Sequence, residues 1–303
     1  MIDITLLGCG GSMPTPDRYL TSLLITYNGS KILVDCGEGT QVSMKILGCG
    51  FKSIDVLCIT HFHADHTAGI PGLLLTIANS QKTTPLTIIG PTGINDIING
   101  LRVLCPDLPY DINIIESDGC SNNLLNINNI SISSLSVDHR TNCNAYSFYL
   151  RRSPKFDKDK AIFNKVPQKL WSVLQKQDKV EYEGIVYNSN MVLGQPRSGI
   201  KITYCTDSRP LDEIIDFAKD SNLFICEGMY GDDLYIPKMI DKKHMVFSEA
   251  ATMARKANVD ELWLTHFSPA MNNPEDFIEN TKTIFENTVI GKDRLTKTFI
   301  FDK

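Results

Sequence analysis

The sequence has no run approaching about 18 consecutive apolar residues, the length a membrane-crossing helix needs, and this excludes an integral helical membrane protein. It has no C-x-x-C pair, and its nine cysteines are odd in number. Most of them (Cys36, Cys58, Cys205, Cys226) sit in or beside apolar, strand-like stretches, so the expectation is buried reduced thiols rather than a disulfide framework. No basic region precedes an apolar one at the N-terminus "MIDITLLGCGG", where Asp3 stands instead of a secretory n-region. A cytoplasmic location without membrane attachment is therefore expected. Internal repeats, low-complexity tracts and Ser/Gly linkers are also missing, so nothing marks a domain boundary. Histidine is scarce as well, with six in 303 residues.

The hydrophobic content of 42% suits a soluble chain with a sizeable core. "IDITLLG", "SLLITY", "KILVDCG", "DVLCIT", "PLTIIG", "ISISSLSV", "AYSFYL", "KITYCTD", "LFICEG" and "ELWLTH" read as strands. "GEGTQVSMKIL", "TAGIPGLLLTIA", "RPLDEIIDFAK" and "SEAATMARKANV" read as helices between them. This alternation predicts an α/β fold, one domain over 1–303. The interruption is a polar, Lys-rich stretch at about 151–199, read as an inserted arm too short to bury much core. The formal charge of −5 hides an asymmetry: residues 151–179 carry nine Lys/Arg against three Asp, a local +6 that leaves −11 for the remainder. A cationic arm on an acidic body suits a phosphate-rich partner, the alternative being an ordinary solvated loop.

Half of the histidines fall in "ITHFHADH", where an apolar strand ends at Thr60 and is followed by His61, His63, Asp65 and His66. Imidazole with carboxylate is a donor set that Zn²⁺ accepts, and structural zinc in a reduced protein more usually takes thiolates. Four such donors in one turn suit two adjacent metals better than one. His139 ends "ISISSLSVDH", Asp207 ends "KITYCTD" and His266 ends "ELWLTH", so each arrives at the C-terminal end of a strand, the same address as the first cluster. Convergence on one site accounts for all of them. Two zinc ions there, a place Mn²⁺ could also take, would activate water near neutral pH and stabilise a forming oxyanion, which points to hydrolysis at phosphorus or a carbonyl. Asp65 is suited to coordinate one metal and hold the attacking water, and Asp207, with two oxygens, to bridge the pair. His244, 22 residues before His266, is a candidate proton donor or else a helix-capping histidine. Gly8, Gly10 and Gly11 either bring a loop close to the metals or make a tight turn.

With these residues assembled, the chain resembles the metallo-β-lactamase superfamily through "HFHADH", and more narrowly the ribonuclease Z family. "LLGCGGSMPTPDR", "ILVDCGEGTQ", "THFHADHTAGIPGLL", "PLTIIGPTGI", "VDHR", "GQPRSGIKITYCTDSRP" and "AATMARKANVDELWLTHFS" carry the likeness along nearly the whole chain. The resemblance implies a four-layer αβ/βα sandwich. It assigns His61, His63 and His139 to one zinc and Asp65, His66 and His266 to the other, with Asp207 bridging and His244 as general acid. It also implies an endonuclease that cuts precursor tRNA after the discriminator base, leaving a 3′-hydroxyl. In that family the enzyme is commonly a homodimer whose arm grips tRNA for the partner's site, and the Lys-rich insertion lies where that arm belongs. Arg151, Arg152, Lys155, Lys158 and Lys160 are then its phosphate contacts. The chain departs from the family's pattern at Ala64 in place of Gly, at "HMV" in place of His-Ser-Thr, at "CEGMY" in place of a His-Glu pair, and at "VPQKLWSVL" in place of the arm's Gly-Pro-Leu element. None of these is a ligand position. They leave a second reading open: a binuclear-zinc phosphodiesterase or esterase on the same fold, acting on a small molecule or another RNA.

Overall fold

Short apolar runs, buried on both faces, make two large sheets in the computed structural model, which describes residues 1–301. The first sheet contains β1 (Ile2–Gly8), β2 (Ser22–Tyr27), β3 (Ser30–Val34), β4 (Ile54–Cys58), β5 (Leu86–Pro91) and β6 (Ile112–Ser117). The second contains β7 (Leu125–Ile127), β8 (Ile130–Ser136), β9 (Asn144–Arg152) and, after the hairpin β10 (Lys179–Tyr182) and β11 (Ile185–Asn188), β12 (Arg197–Cys205), β13 (Leu223–Glu227), β14 (Leu262–Thr265) and β15 (Thr288–Ile290). The last strand, β16 (Thr296–Phe299), returns to the first sheet, whose order is β16-β1-β2-β3-β4-β5-β6; the second runs β15-β14-β13-β12-β9-β8-β7.

The helices are α1 (Thr40–Ile46), α2 (Ala64–Thr67), α3 (Ile70–Asn79), α4 (Ile94–Arg102), α5 (Lys158–Phe163), α6 (Trp171–Leu174), α7 (Asp212–Ala218), α8 (Ile236–Lys242), α9 (Phe247–Lys256) and α10 (Ile278–Ile284). Helices α1, α3 and α4 place Met44, Leu73, Ile77 and Ile98 against Leu33, Leu57 and Ile88 of the first sheet. On the second, α7 and α9 place Ile214, Phe247, Ala250 and Ala254 against Phe224, Cys226 and Leu264. The opposite strand faces, with Ile25, Ile32 and Val56 on one sheet and Tyr146, Ile202 and Trp263 on the other, are equally buried. Tyr146 Oη donates to the Ile59 carbonyl at 2.8 Å, and the Asn144 amide to the Thr60 carbonyl at 2.9 Å, tying the second sheet to the end of β4. This is αβ/βα layering, as the resemblance implies.

Strands β3 to β6 pair in parallel, as do β12 to β15, so helical crossovers connect them and their C-terminal ends open onto loops. Those ends are where a parallel sheet presents a site.

The chain divides into two compact units, 1–149 with 201–303 and 150–200. The second has a small core of its own, in which Ala161, Leu170, Leu174, Tyr187 and Val192 meet under Phe156 and Trp171. The Trp171 indole N–H is satisfied by the Val166 carbonyl at 2.9 Å. The β10–β11 hairpin turns through Glu183 and Gly184, both at positive φ (53° and 75°), a backbone state that glycine supplies at least cost. The ten strands expected from the sequence are all present. Those not expected are β6, β7, the β10–β11 hairpin, β15 and β16, together with α2, α4, α5, α6, α8 and α10. Among the described residues no helix is long and apolar enough to cross a membrane.

Leu57 is fully buried in the middle of the first sheet. Leu57→Ala is expected to lower the free energy of unfolding by about 2–5 kcal/mol, read as a lower urea midpoint at unchanged slope.

Candidate metal centre

Strand ends and the loops after them deliver every member of the centre. β4 runs on through Ile59 and Thr60 into His61, and α2 then carries Asp65 and His66 on its single turn. His139 follows β8, Asp207 follows β12 and His266 follows β14. Asp207 and His266 have φ of 54° and 58°, as does Asp35 after β3 at 57°. Non-glycine residues pay a steric cost in this region, and such strain is concentrated where a side chain must be aimed.

Two separate groups of donors result, His61, His63, His139 and Asp207, and Asp65, His66 and His266, while a third, Asp207 with His244 and His266, overlaps them. Asp207 belongs to both by geometry. Its Oδ2 lies 3.7 Å from His61 Nε2 and 3.8 Å from His139 Nε2. Its Oδ1 lies 3.3 Å from His66 Nε2 and 3.2 Å from His266 Nε2. In the first group His63 Nδ1 approaches His61 Nε2 to 2.9 Å and His139 Nε2 to 3.4 Å. In the second, His66 Nε2 and His266 Nε2 are 3.3 Å apart, and Asp65 Oδ2 is 3.6 Å from the former and 3.3 Å from the latter. Ligands on bonds of roughly 2.0–2.1 Å at a tetrahedral ion stand about 3.3 Å from one another. Both sets have that spacing, so the residues present fit a pair of small divalent cations.

Charge agrees with spacing. Asp207 is buried, which alone would raise its pKa, but His266, His66 and His61 around it hold it well below the usual carboxylate range. Asp65 is likewise held low, with burial opposed by a hydrogen bond from His266 and the charge of His66. Burial lowers His61, His63 and His139, which favours the neutral imidazole a metal ligand must be. His66 differs: burial alone would lower its pKa, but Asp207 and Asp35 raise it well above the ordinary imidazole value, so the buried carboxylates draw positive charge to the centre, which a bound cation would supply.

The nitrogen of each ring facing away from the centre is mostly spoken for. Asp35 Oδ2 holds His66 Nδ1 at 2.8 Å and is itself fixed by the Thr60 amide and hydroxyl. Thr60 Oγ1 lies 3.1 Å from His61 Nδ1, and the Lys243 carbonyl 3.1 Å from His139 Nδ1. These partners set tautomer and ring orientation. His266 Nδ1 is buried without a partner. The Ser12 amide donates to Asp65 Oδ2 at 2.6 Å, and a Cβ on Gly11 would come within 2.7 Å of the His266 ring. Of the two readings of the early glycines, close approach to the centre is the one the geometry favours at Gly11.

His244 stands beside both groups. Its Nδ1 is 3.0 Å from Oε2 of fully buried Glu227, whose Oε1 accepts from the Ser208 amide at 2.5 Å, and 3.9 Å from Asp207 Oδ2. Burial alone would lower the His244 pKa; the Glu227 carboxylate outweighs it and raises the value to about 9. That direction favours the cationic ring at neutral pH, with Nδ1 occupied. His63, Asp65, His139, Asp207, His244 and His266 all line one cavity of about 310 Å³. A larger hollow of about 530 Å³ between α7 and α9 contains none of them.

The five cationic residues expected to meet substrate, Arg151, Arg152, Lys155, Lys158 and Lys160, belong to the second unit and are not members of this cluster. Arg151, Lys155 and Lys158 are exposed; Arg152 is half-buried, and Lys160 Nζ donates to the Leu193 carbonyl at 2.9 Å. Sequence reasoning missed Asp35 and Thr60 as supports of the histidines, and the cationic side chains of α8 that share the cavity. Asp35 had a signal, since it too ends a strand, in "ILVDCGEGTQ".

Comparison with known proteins follows the same lines. A family model described as anti-Pycsar protein Apyc1 matches residues 2–177. Ribonuclease Z of Clostridium acetobutylicum is 57% identical over 307 aligned positions, covering 100% of this chain and 99% of its own. Ribonuclease Z of Clostridium kluyveri is 55% identical and covers 99% of each. Of solved structures, the short form of human tRNase Z superposes with a TM-score of 0.71 at 22% identity, covering 99% of this chain and 100% of that one. The metallo-β-lactamase-fold protein YhfI of Bacillus subtilis gives 0.70 at 20%, covering 98% of each. At those identities the two structures speak for the fold, while full-length identity above one half speaks for more. The chain belongs to the ribonuclease Z family, on the metallo-β-lactamase fold.

Proposed function

We propose that this protein is a zinc-dependent endoribonuclease that hydrolyses one phosphodiester of precursor tRNA and so removes the 3′ trailer. The observation that carries the reading is Asp207, whose two oxygens each complete a set of three donors in a chain more than half identical to ribonuclease Z throughout. His61, His63 and His139 would hold one zinc, Asp65, His66 and His266 the second, with Asp207 between them. When bound, the ions supply an activated water near neutral pH and positive charge for the phosphate oxygens.

The chain's own groups do the rest. The Asp65 carboxylate orients the attacking water. His244, with Nδ1 held by Glu227, has Nε2 available to give a proton to the departing 3′-oxygen of the tRNA, and the phosphate leaves on the trailer. The arm's Arg151, Arg152, Lys155, Lys158 and Lys160 supply tRNA backbone contacts, a role supported by the local excess of nine Lys/Arg over three Asp. Homodimerisation and a cytoplasmic location accompany this reading through the family resemblance. The second reading, a smaller phosphodiester as substrate, rests on the altered arm sequence "VPQKLWSVL".

Purified protein is expected to contain two zinc ions per chain and to cut a 3′-extended precursor tRNA after the discriminator. Chelation should abolish cleavage, added Zn²⁺ should restore it, and His63→Ala should lose both metal content and at least about 10²-fold in kcat. Failure to cut the precursor while a small phosphodiester is hydrolysed would favour the second reading. Removing residues 155–180 makes the same distinction from the other side, since small-ester hydrolysis should survive and precursor cleavage collapse.

The protonation of His244 predicts an alkaline limb. An acid whose folded pKa is raised is present below that pKa, so kcat should fall as pH rises through the value that Glu227 sets. Glu227→Gln should move this limb to lower pH, and His244→Ala should remove it with a loss of about 10²- to 10⁴-fold in kcat. A pH profile unchanged in Glu227→Gln would count against His244 as the acid.

A further inference from the structure

Helix α8 and the turn before it supply one wall of the metal cavity, with Tyr230, Lys238, Met239 and Lys242, and none of these has a part in the hydrolytic steps above. Tyr230 is nearly buried and fixed at its hydroxyl, which accepts from Lys238 Nζ at 2.8 Å and from Ser268 Oγ at 3.0 Å. Tyr235 stacks on it with ring centroids 4.1 Å apart and planes 12° from parallel. Tyr235 nevertheless stays 41% exposed, and its neighbour Leu234 is 85% exposed. A tyrosine pair serving only the core would bury both rings. Here the inner ring is anchored and holds the outer one in a set orientation, open to solvent.

Cations accompany the open ring. Lys238 Nζ lies 4.6 Å from the Tyr230 centroid and 5.7 Å from that of Tyr235, and among the described residues it pairs with no carboxylate. Arg140 and Lys242, which also line the cavity, share a single acid, Asp241, at 3.6 and 3.4 Å. Asp232 and Asp233 of the preceding turn line a separate hollow, so the charges this wall turns to the metal cavity are those of Arg140, Lys238 and Lys242. An exposed, rigid aromatic face among uncompensated lysines beside a phosphodiester-cleaving centre matches one ligand chemistry: an unpaired nucleotide, whose base stacks and whose phosphates are neutralised.

We propose that Tyr235, held by Tyr230, is a stacking platform for a nucleobase adjoining the scissile phosphate, with Lys238, Lys242 and Arg140 receiving the phosphates of the same single strand. This rests on the RNA reading of the site and adds to it that the strand at the cut is unpaired and gripped within the unit that holds the metals. Tyr235 is then a binding residue, not part of the hydrolytic machinery.

The test uses metal-loaded protein and precursor tRNA carrying 2-aminopurine on one side or the other of the scissile phosphate, followed by stopped flow so that binding is seen before cleavage. Wild type and Tyr235→Phe should quench the fluorescence at one of the two positions. Tyr235→Leu should lose the quench and raise KM by about 5- to 100-fold, the equivalent of one stacked base, with kcat little changed. Lys238→Gln should lower the slope of log KM against log salt by about 0.7, one single-strand phosphate contact, a change that no loss of packing imitates. If Tyr235→Leu quenches and binds as wild type does, the platform is refuted and the ribonuclease reading stands. If wild type fails to cleave the precursor at all, the ribonuclease reading and the platform fall together.

Discussion

A carboxylate stripped of water stays ionised only if its surroundings compensate the charge, and Asp207 imposes that condition on the middle of the molecule. Each of its oxygens faces two imidazoles, His61 and His139 on one side, His66 and His266 on the other. Those rings come from both sheets, since β4 leads into His61 and His66 while β8, β12 and β14 lead into His139, Asp207 and His266. The two sheets must therefore meet with their strand ends in register to within a fraction of an ångström. The polar ties between Tyr146 and Ile59, and between Asn144 and Thr60, lie at that junction and hold it. The layered fold and the site are in this sense one construction problem.

The same condition reaches outward. A ring that must present one nitrogen to a cation needs its other nitrogen fixed, and Asp35, Thr60 and the Lys243 carbonyl do this from three separate loops. Asp35, Asp207, Lys243 and His266 all have left-handed backbone conformations, at a steric cost the surrounding packing must offset. Glycine appears where approach rather than φ is limiting: Gly11 lets the loop after β1 pass against the His266 ring, and Ser12 next to it donates to Asp65. The charge condition thus explains why residues remote in sequence occupy strained or crowded positions together.

How much of this could be read from the sequence depended on whether a feature was local. The central strands are short apolar runs closed by Gly, Asp or His, and the ten that are present announce themselves by pattern alone. The edge strand β16, exposed at alternate residues as "TKTF", and the three-residue β7 and β15 have too few apolar positions to show a period. Helix α8 was invisible because "IPKMIDK" buries only Met239. The cluster of candidate donors was legible because histidine is scarce, half of it falls in one turn, and His139, Asp207 and His266 each follow a strand. Their supports were not, since Asp35 and Thr60 are ordinary residue types whose role arises only when β3 and β4 lie side by side. The cationic wall at Lys238 and Lys242 escaped for the same reason as the helix that carries it.

The sequence's departures from its family find a physical account in the loop that carries His244. Val246 occupies the N-cap of α9 without a side chain able to accept a hydrogen bond, so the first turn of the helix would be left with an unmet amide. Glu249 supplies the other half of such a cap, accepting from the Val246 amide at 3.0 Å. Its carboxylate is in turn gripped by Arg209, which also donates to the His244 carbonyl. Arg209 follows Asp207 by two residues, so a brace runs from the Asp207 loop to the loop that carries His244. Cys226 is similarly absorbed: fully buried, with Sγ 3.6 Å from Met245 Sδ, it packs as a small apolar group, and Met245 in the serine position completes that contact. Glu227, the neighbour that sets the charge of His244, is unaffected by either change. The contacts around His244 thus come from Glu227 at its ring and Arg209 at its carbonyl, and neither position is among the departures.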